Sequence, residues 1–266
     1  MTCSFESACS KTERAYHQLK TLEAKVGPFF ADNPYPIRHE FNAECTECRF
    51  YISVTKPLPQ REWGLIIGDC IHNARSALDH LIWELSEIFS GPAPTDTDTQ
   101  FPIYDAPHPT MPFSLRAERR IKRLPVYAQA LVEQLQPYRA PNIMEHPLWL
   151  CRHLDDIDKH KLIPVVIGVV NEPGFSWSGP LDFEIAKVLT GPFEDGTEIG
   201  FVRFRTPISP SEVQMHSYFT VVEALSESAP RYVRSRHTLR RILHHVTRII
   251  DVFEAFPDHH GLLRLP

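Results

Sequence analysis

No apolar run in this chain of 266 residues reaches the ~18 residues that a membrane span requires. The longest, "LIPVVIGVV", is broken by Pro164 and Gly168. No membrane partner is expected. The opening residues, "MTCSFESACSKTER", lack both a basic n-region and an apolar h-region, so the reading expects no secretory leader and a cytoplasmic location. Cysteine is sparse and scattered, at positions 3, 9, 45, 48, 70 and 151. A chain of this size builds a core without covalent staples, and reduced thiols are expected. Glycine is scarce, with 11 residues. No Gly-rich phosphate loop, dinucleotide fingerprint or G-x-S-x-G elbow occurs, which sets aside the nucleotide-binding and hydrolase classes built on them.

What is present is ordinary for a globular protein: 42% hydrophobic and 23% charged residues. Proline is abundant, at 24, and predicts long connections. The formal net charge is −5, unevenly spread. Residues 116–123, "RAERRIKR", hold five basic residues against one acid, and residues 231–248 hold six arginines and no acid. Two readings stay open, a pair of solvated helix faces or a surface that attracts a polyanion.

Periodicity predicts a helix over 10–26, where Ala15, Leu19, Leu22 and Val26 recur at helical spacing until Gly27-Pro28. "IRHEF" and "CRFYISVT" alternate instead and predict a hairpin within 37–55. Residues 61–89 carry a continuous stripe through Trp63, Ile67, Cys70/Ile71, Ala74, Leu78, Leu81, Leu85 and Ile88. The proline-rich stretch 91–112 reads as a long surface connection. Helices follow at 114–123, 125–136 and 146–161, then strands through 163–222, then a last helix at 230–256. The expected fold class is α+β, mainly a helical bundle with a β-rich insertion in the C-terminal half. The bundle takes residues 1–162 and carries the hairpin, the insertion takes 163–222, and 223–266 returns as a helix onto the bundle, in one compact unit.

The polar side of the 61–89 helix is unusual. "CIHNARSALDHLIWEL" sets His72, Asn73, Arg75, Ser76, Asp79 and His80 where a solvated face normally carries Lys and Glu. His and Asn are poor helix formers, so their use predicts a second buried or half-buried face. In one reading they form a satisfied polar core in which Arg75 pairs with Asp79 and Asn73 bonds nearby backbone. In the other they form a site. Arg75 and His80, with four residues between them at mid-helix, resemble the R-x4–6-H motif of the HEPN family. Ser76 stands where its enzymes more commonly carry Asn, Asp or His, a departure that bears on activity rather than fold.

Members of that family are helical bundles, many of them metal-independent ribonucleases or toxin-like enzymes that dimerise to complete the site. The resemblance implies RNA as partner, a homodimer, an antitoxin or regulatory partner for a toxin or defence role, and no cofactor. Cleaving RNA without metal requires one proton taken from the 2′-OH and one given to the 5′-oxygen. Imidazole, with a pKa near ~6.5, does either. Arg75 would stabilise charge at phosphorus, His80 would carry the proton, and Asn73 and Asp79 would orient them. His72, Ser76, Lys159 and His160 are the candidate substrate contacts.

A metal-dependent enzyme is the alternative. "HPLWLCRHLDDIDKHK" places His153, Asp156 and His160 on one stripe, and these with His72 and His80 would make a site inside a bundle. No E-x-x-H or H-x-x-x-H pair supports it. Cys45 and Cys48 form a single C-x-x-C with only His39 nearby, which reads as a hairpin with two thiols. The adjacent pairs His244-His245 and His259-His260 diverge on a helix and cannot chelate together. A third reading is a non-catalytic interaction module whose polar face is a dimer seam.

Overall fold

The structure is a computed structural model that describes residues 4–92, 98–169, 174–178, 182–188, 193–209, 214–218, 221–225 and 233–255. Its fold is α+β and mainly helical. Two compact units divide the chain: Met1–Leu22, Gly64–Ile163 and Arg236–Pro266 form the first, and Glu23–Trp63 with Pro164–Ser235 form the second. The boundaries fall within two long helices, α1 (Glu6–Ala31) and α2 (Gln60–Ser90).

The first unit is helical. Its core takes Ala8, Ala15, Leu19 and Leu22 from α1 and the expected stripe from Ile67 to Leu85 of α2, all buried. α6 (Pro147–Asp158) adds Leu148, Leu150 and Leu154, and α7 (Ser235–Ala255) adds Leu239, Ile242, Val246, Ile249 and Phe253. Each fully buried aliphatic side chain contributes about 1.5–3 kcal/mol, so these stripes are what hold the helices. Between α2 and α6 run three short α-helices, α3 (Phe113–Arg116), α4 (Glu118–Ile121) and α5 (Val126–Gln134), and two single 3-10 turns, Pro137–Arg139 and Ile143–Glu145. The single helix expected over 114–123 is thus broken at Ala117. α2 stops at Gly91, whose positive φ of 72° and N–H bond to Glu87 make a left-handed cap. Arg123 donates to the carbonyls of Ser90, Gly91 and Pro92 there. Cys9 is disulfide-bonded, against the expectation of thiols only, whereas Cys45, Cys48, Cys70 and Cys151 are free.

The second unit is antiparallel β. One sheet has the order β1-β2-β6-β5, from β1 (Ile37–Phe41), β2 (Glu47–Ile52), β5 (Phe183–Val188) and β6 (Glu198–Phe204). β3 (Val165–Val169), β8 (Val221–Leu225) and β9 (Val233–Arg234) form a second, and β4 (Gly174–Ser178) pairs with β7 (Gln214–Tyr218). The hairpin of β1 and β2 therefore belongs with the C-terminal strands, not with the helical bundle: Cys48 opposes Val202 across β2 and β6. Gly27-Pro28 does not end α1. The helix continues to Ala31 because Phe29 and Phe30 pack on Trp63, with ring centroids 5.2 and 6.3 Å away. No helix among the described residues is long and apolar enough to cross a membrane.

Candidate functional site

The polar margin of α2 is half-buried, and two of its residues share one structural task. Arg75 has only 14% of its side chain exposed, and its Nη1 lies 3.0 Å from Asp79 Oδ1 one turn on. Arg75 Nη2 donates to the Phe101 carbonyl at 3.0 Å, and the Phe101 N–H donates to Asp79 Oδ1 at 2.9 Å. Phe101 is fully buried, so its backbone groups need protein partners. The following residues are gripped likewise. Gln136 Nε2 donates to Pro102 O, Arg152 Nη1 donates to Ile103 O, and Tyr104 N–H donates to Gln136 Oε1. The surface connection expected over 91–112 is thus corrected at 101–103, where the chain is buried and side chains stand in for a neighbouring strand. Burial pushes the Asp79 carboxyl above its ordinary range, against the opposing pull of Arg75 and the Phe101 N–H.

Beside this grip lies a polar cleft of about 390 Å³. Arg75, Arg116, Arg120, Arg152 and Lys159 line it, against the carboxylates of Asp105 and Asp156. Arg116 is placed by stacking on Tyr104, its guanidinium 3.7 Å from the ring centroid, and by donating to Ala106 O. Arg152 lies 3.6 Å from Asp156, and Lys159 Nζ lies 2.6 Å from Asp155 and 3.7 Å from Asp156. Among the described residues the Arg120 guanidinium has no hydrogen-bond or ion-pair partner. Positive charge in excess, with one unpaired guanidinium, is chemistry for an anion. The basic segment 116–123 thus divides: Arg116 and Arg120 line the cleft, while Arg123 caps α2. In the 231–248 segment, Arg241 donates to Glu145 O at 2.8 Å.

The two histidines of the margin part company. His80 does not line the cleft; five positions along a helix turn a side chain by about 140°. Its Nδ1 is hydrogen-bonded to Ser7 Oγ, and Glu84 accepts from the N–H groups of Ser7 and Ala8, so this side of α2 holds the start of α1. His72 does not line the cleft either; it stands on the other margin with 59% of its side chain exposed and Nδ1 3.5 Å from Asp155 Oδ1. Asp155 is 3% exposed, its Oδ1 accepts no hydrogen bond, and its Oδ2 meets Lys159. Asp155 escaped the sequence reading, although a signal existed: it continues the buried spacing Leu148, Cys151, Asp155, where an apolar residue is expected. Asn73 donates to Asp69 O within its own helix, and Ser76 is half-buried.

The five proposed metal ligands do not converge. His80 meets Ser7, His72 meets Asp155, His153 stacks on Trp149 at 4.7 Å, and Asp156 meets Arg152 and Lys159. His160 lies exposed beyond the end of α6, out of register with the helix stripe that suggested it. Among the described residues no three His, Cys, Asp or Glu side chains gather as a metal site. Cys45 sits in the hairpin turn at φ 52°, whereas Cys48 is buried and its thiol pushed up to about 12 by that burial. His39 packs against Phe41 and Phe50. His244 is exposed while His245 is half-buried against His146, with centroids 5.0 Å apart; His259-His260 lie outside the described residues.

Comparison of the chain with protein-family models, with curated proteins and with solved structures finds no match.

Proposed function

We propose that this protein binds RNA through the basic cleft of its helical unit and cleaves it without metal, as the HEPN-like pairing of Arg75 and His80 implies. The observation that carries the reading is the cleft: five cations and two carboxylates line it, Arg75, Arg152 and Lys159 are paired with Asp79, Asp156 and Asp155, and Arg120 has no ion-pair or hydrogen-bond partner among the described residues. Phosphodiester oxygens are the natural partners of a preformed guanidinium cluster, and counterion release drives such binding. For cleavage, the supporting feature is the His72–Asp155 pair. The Asp155 carboxylate lies 3.5 Å from Nδ1, an ionic approach without a hydrogen bond, and the exposed ring would exchange a proton with the 2′-OH or the 5′-oxygen through Nε2. Arg75, one helical turn from His72, would stabilise the phosphorane charge. His80 would act from a second copy in the homodimer that the resemblance implies.

Fluorescence anisotropy with a labelled RNA oligonucleotide tests binding. Wild type binds with an affinity that falls as salt rises, and Arg120→Glu weakens it at least tenfold. Binding indifferent to that reversal would overturn the cleft as the RNA site. Cleavage is followed on the same oligonucleotide in excess EDTA, where His72→Ala and His80→Ala separate the two histidines. Turnover that survives both substitutions, or that disappears with EDTA, would end the metal-independent proposal.

A further inference from the structure

We propose that the RNA engaged here is single-stranded, with one unstacked nucleobase seated in a second pocket beside the cleft while its phosphate lies among the cleft cations. This inference rests on the RNA-binding reading and adds to it the form of the strand and a base subsite. The second pocket, about 500 Å³, is lined by residues 107–139 of the same helical unit. Its volume falls in the range of small-ligand sites. The two cavities adjoin at Arg116, which lines both. A nucleotide carries its anion and its ring one ribose apart, and a basic cleft that meets an aromatic pocket at one arginine matches that layout.

The lining fits a base rather than a second phosphate. His108 is exposed, and Tyr138 is half-exposed with the Arg139 guanidinium 5.6 Å from its ring centroid, so a base would stack on His108 or on Tyr138 opposite Arg139, whereas Phe113 is buried edge-on against Tyr104 at 5.8 Å. Met111, 41% exposed, adds an apolar rim. Glu133 and Arg139, paired at 2.8 Å, put acceptors and donors side by side on the wall, as the polar edge of a base requires. Bases of a duplex are already stacked and paired, so a duplex cannot fill this pocket without being opened.

The test compares three ligands carrying one label on the full chain at a fixed salt concentration: a single-stranded RNA, the same strand in a duplex, and a strand of abasic ribose phosphates of equal length. Stacking of one base is worth about 5- to 150-fold in affinity. The single strand is expected to bind at least tenfold tighter than the abasic strand and the duplex. Tyr138→Ala should erase that preference while leaving abasic affinity within twofold. His108→Ala, at an exposed ring, repeats the test should Tyr138→Ala not fold. Equal affinity for RNA and abasic strand, or a preference untouched by both substitutions, overturns the base subsite. Abasic binding that is lost in Arg120→Glu leaves the cleft reading standing in that case. Failure of all three ligands to bind removes both.

Discussion

Arg75 and Asp79 grip the two ends of one buried peptide residue, and breaking that grip has a magnitude the geometry sets. Arg75→Met keeps most of the side-chain length but leaves the Phe101 carbonyl without its donor. A charge-assisted hydrogen bond contributes about 1.5–3 kcal/mol, and the orphaned carbonyl and unneutralised Asp79 bring the expected loss to about 3 kcal/mol. Asp79→Asn is milder. Its amide oxygen still accepts from the Phe101 N–H, and the lost attraction to Arg75 is partly offset because the carboxylate was costly to bury. About 1 kcal/mol is expected. With side chains 14% and 29% exposed, the pair lies between surface and buried ion pairs, so a double-mutant cycle should return a coupling of about 1–2 kcal/mol. Urea unfolding of the four proteins, followed by circular dichroism, supplies the numbers. Additivity within about 0.3 kcal/mol, or an Asp79→Asn cost equal to that of Arg75→Met, would refute the reasoning. The same Asp79→Asn protein removes a negative charge beside the cleft and should bind RNA more tightly.

Loss of solvent around the half-buried His245, with His146 beside it, holds its imidazole down to about 4. The unfolded chain takes up that proton near ~6.5, so stability is full above this pH and falls as pH drops from ~6.5 towards 4. The full shift would amount to ~3.4 kcal/mol; solvent at the ring edge lowers the expected loss to about 1–2 kcal/mol, read from urea midpoints at both ends and flattened in His245→Leu. Gly64→Ala would set a Cβ 2.8 Å from the Ile163 carbonyl oxygen and 2.9 Å from Leu162 Cγ. Helix propensity gains about 1 kcal/mol and overpacking costs about 1–3 kcal/mol, so a net loss near ~1 kcal/mol is expected by thermal unfolding, and a gain would show that 162–163 yields freely. Arg123→Ala removes the donor from the last carbonyls of α2 and should cost about 1–2 kcal/mol, with faster amide exchange confined to that turn.

Long periodic segments were legible. The stripes from Ile67 to Leu85 and from Leu239 to Phe253 predict helices and their buried faces, because a period of 3.6 over five turns has no other solution. Shorter signals yielded to tertiary contacts. Gly27-Pro28 reads as a stop, yet Phe29 and Phe30 gain more by reaching Trp63 than Pro28 loses in the last turn. β4 lies inside the 163–222 region read as strands, in a stretch too short and mixed to reveal its own alternation. At the site, the odd composition of the α2 margin correctly announced a second covered face, and the Arg75–Asp79 pair is there at its expected i,i+4 spacing. What covers that face was hidden, since nothing local in "FPIY" says that its backbone will be bonded by Arg75, Asp79, Gln136 and Arg152. Spacing also placed His72, His80 and His153 as potential neighbours, although a helix radiates its residues and only packing decides which meet.

The helical unit is assembled from three stretches of chain, and the two segments of the β unit fill the two gaps between them in sequence. During synthesis, the greasy sides of α1, α2 and α6 emerge well before α7 exists to close over them. Translation at about 5–20 residues per second therefore leaves them open for several seconds while the strands are made. No contiguous fragment reproduces either unit, so truncation at any linker should yield aggregation rather than a smaller working piece, and a chaperone that shields apolar helices should raise the yield of the whole chain more than cooling does.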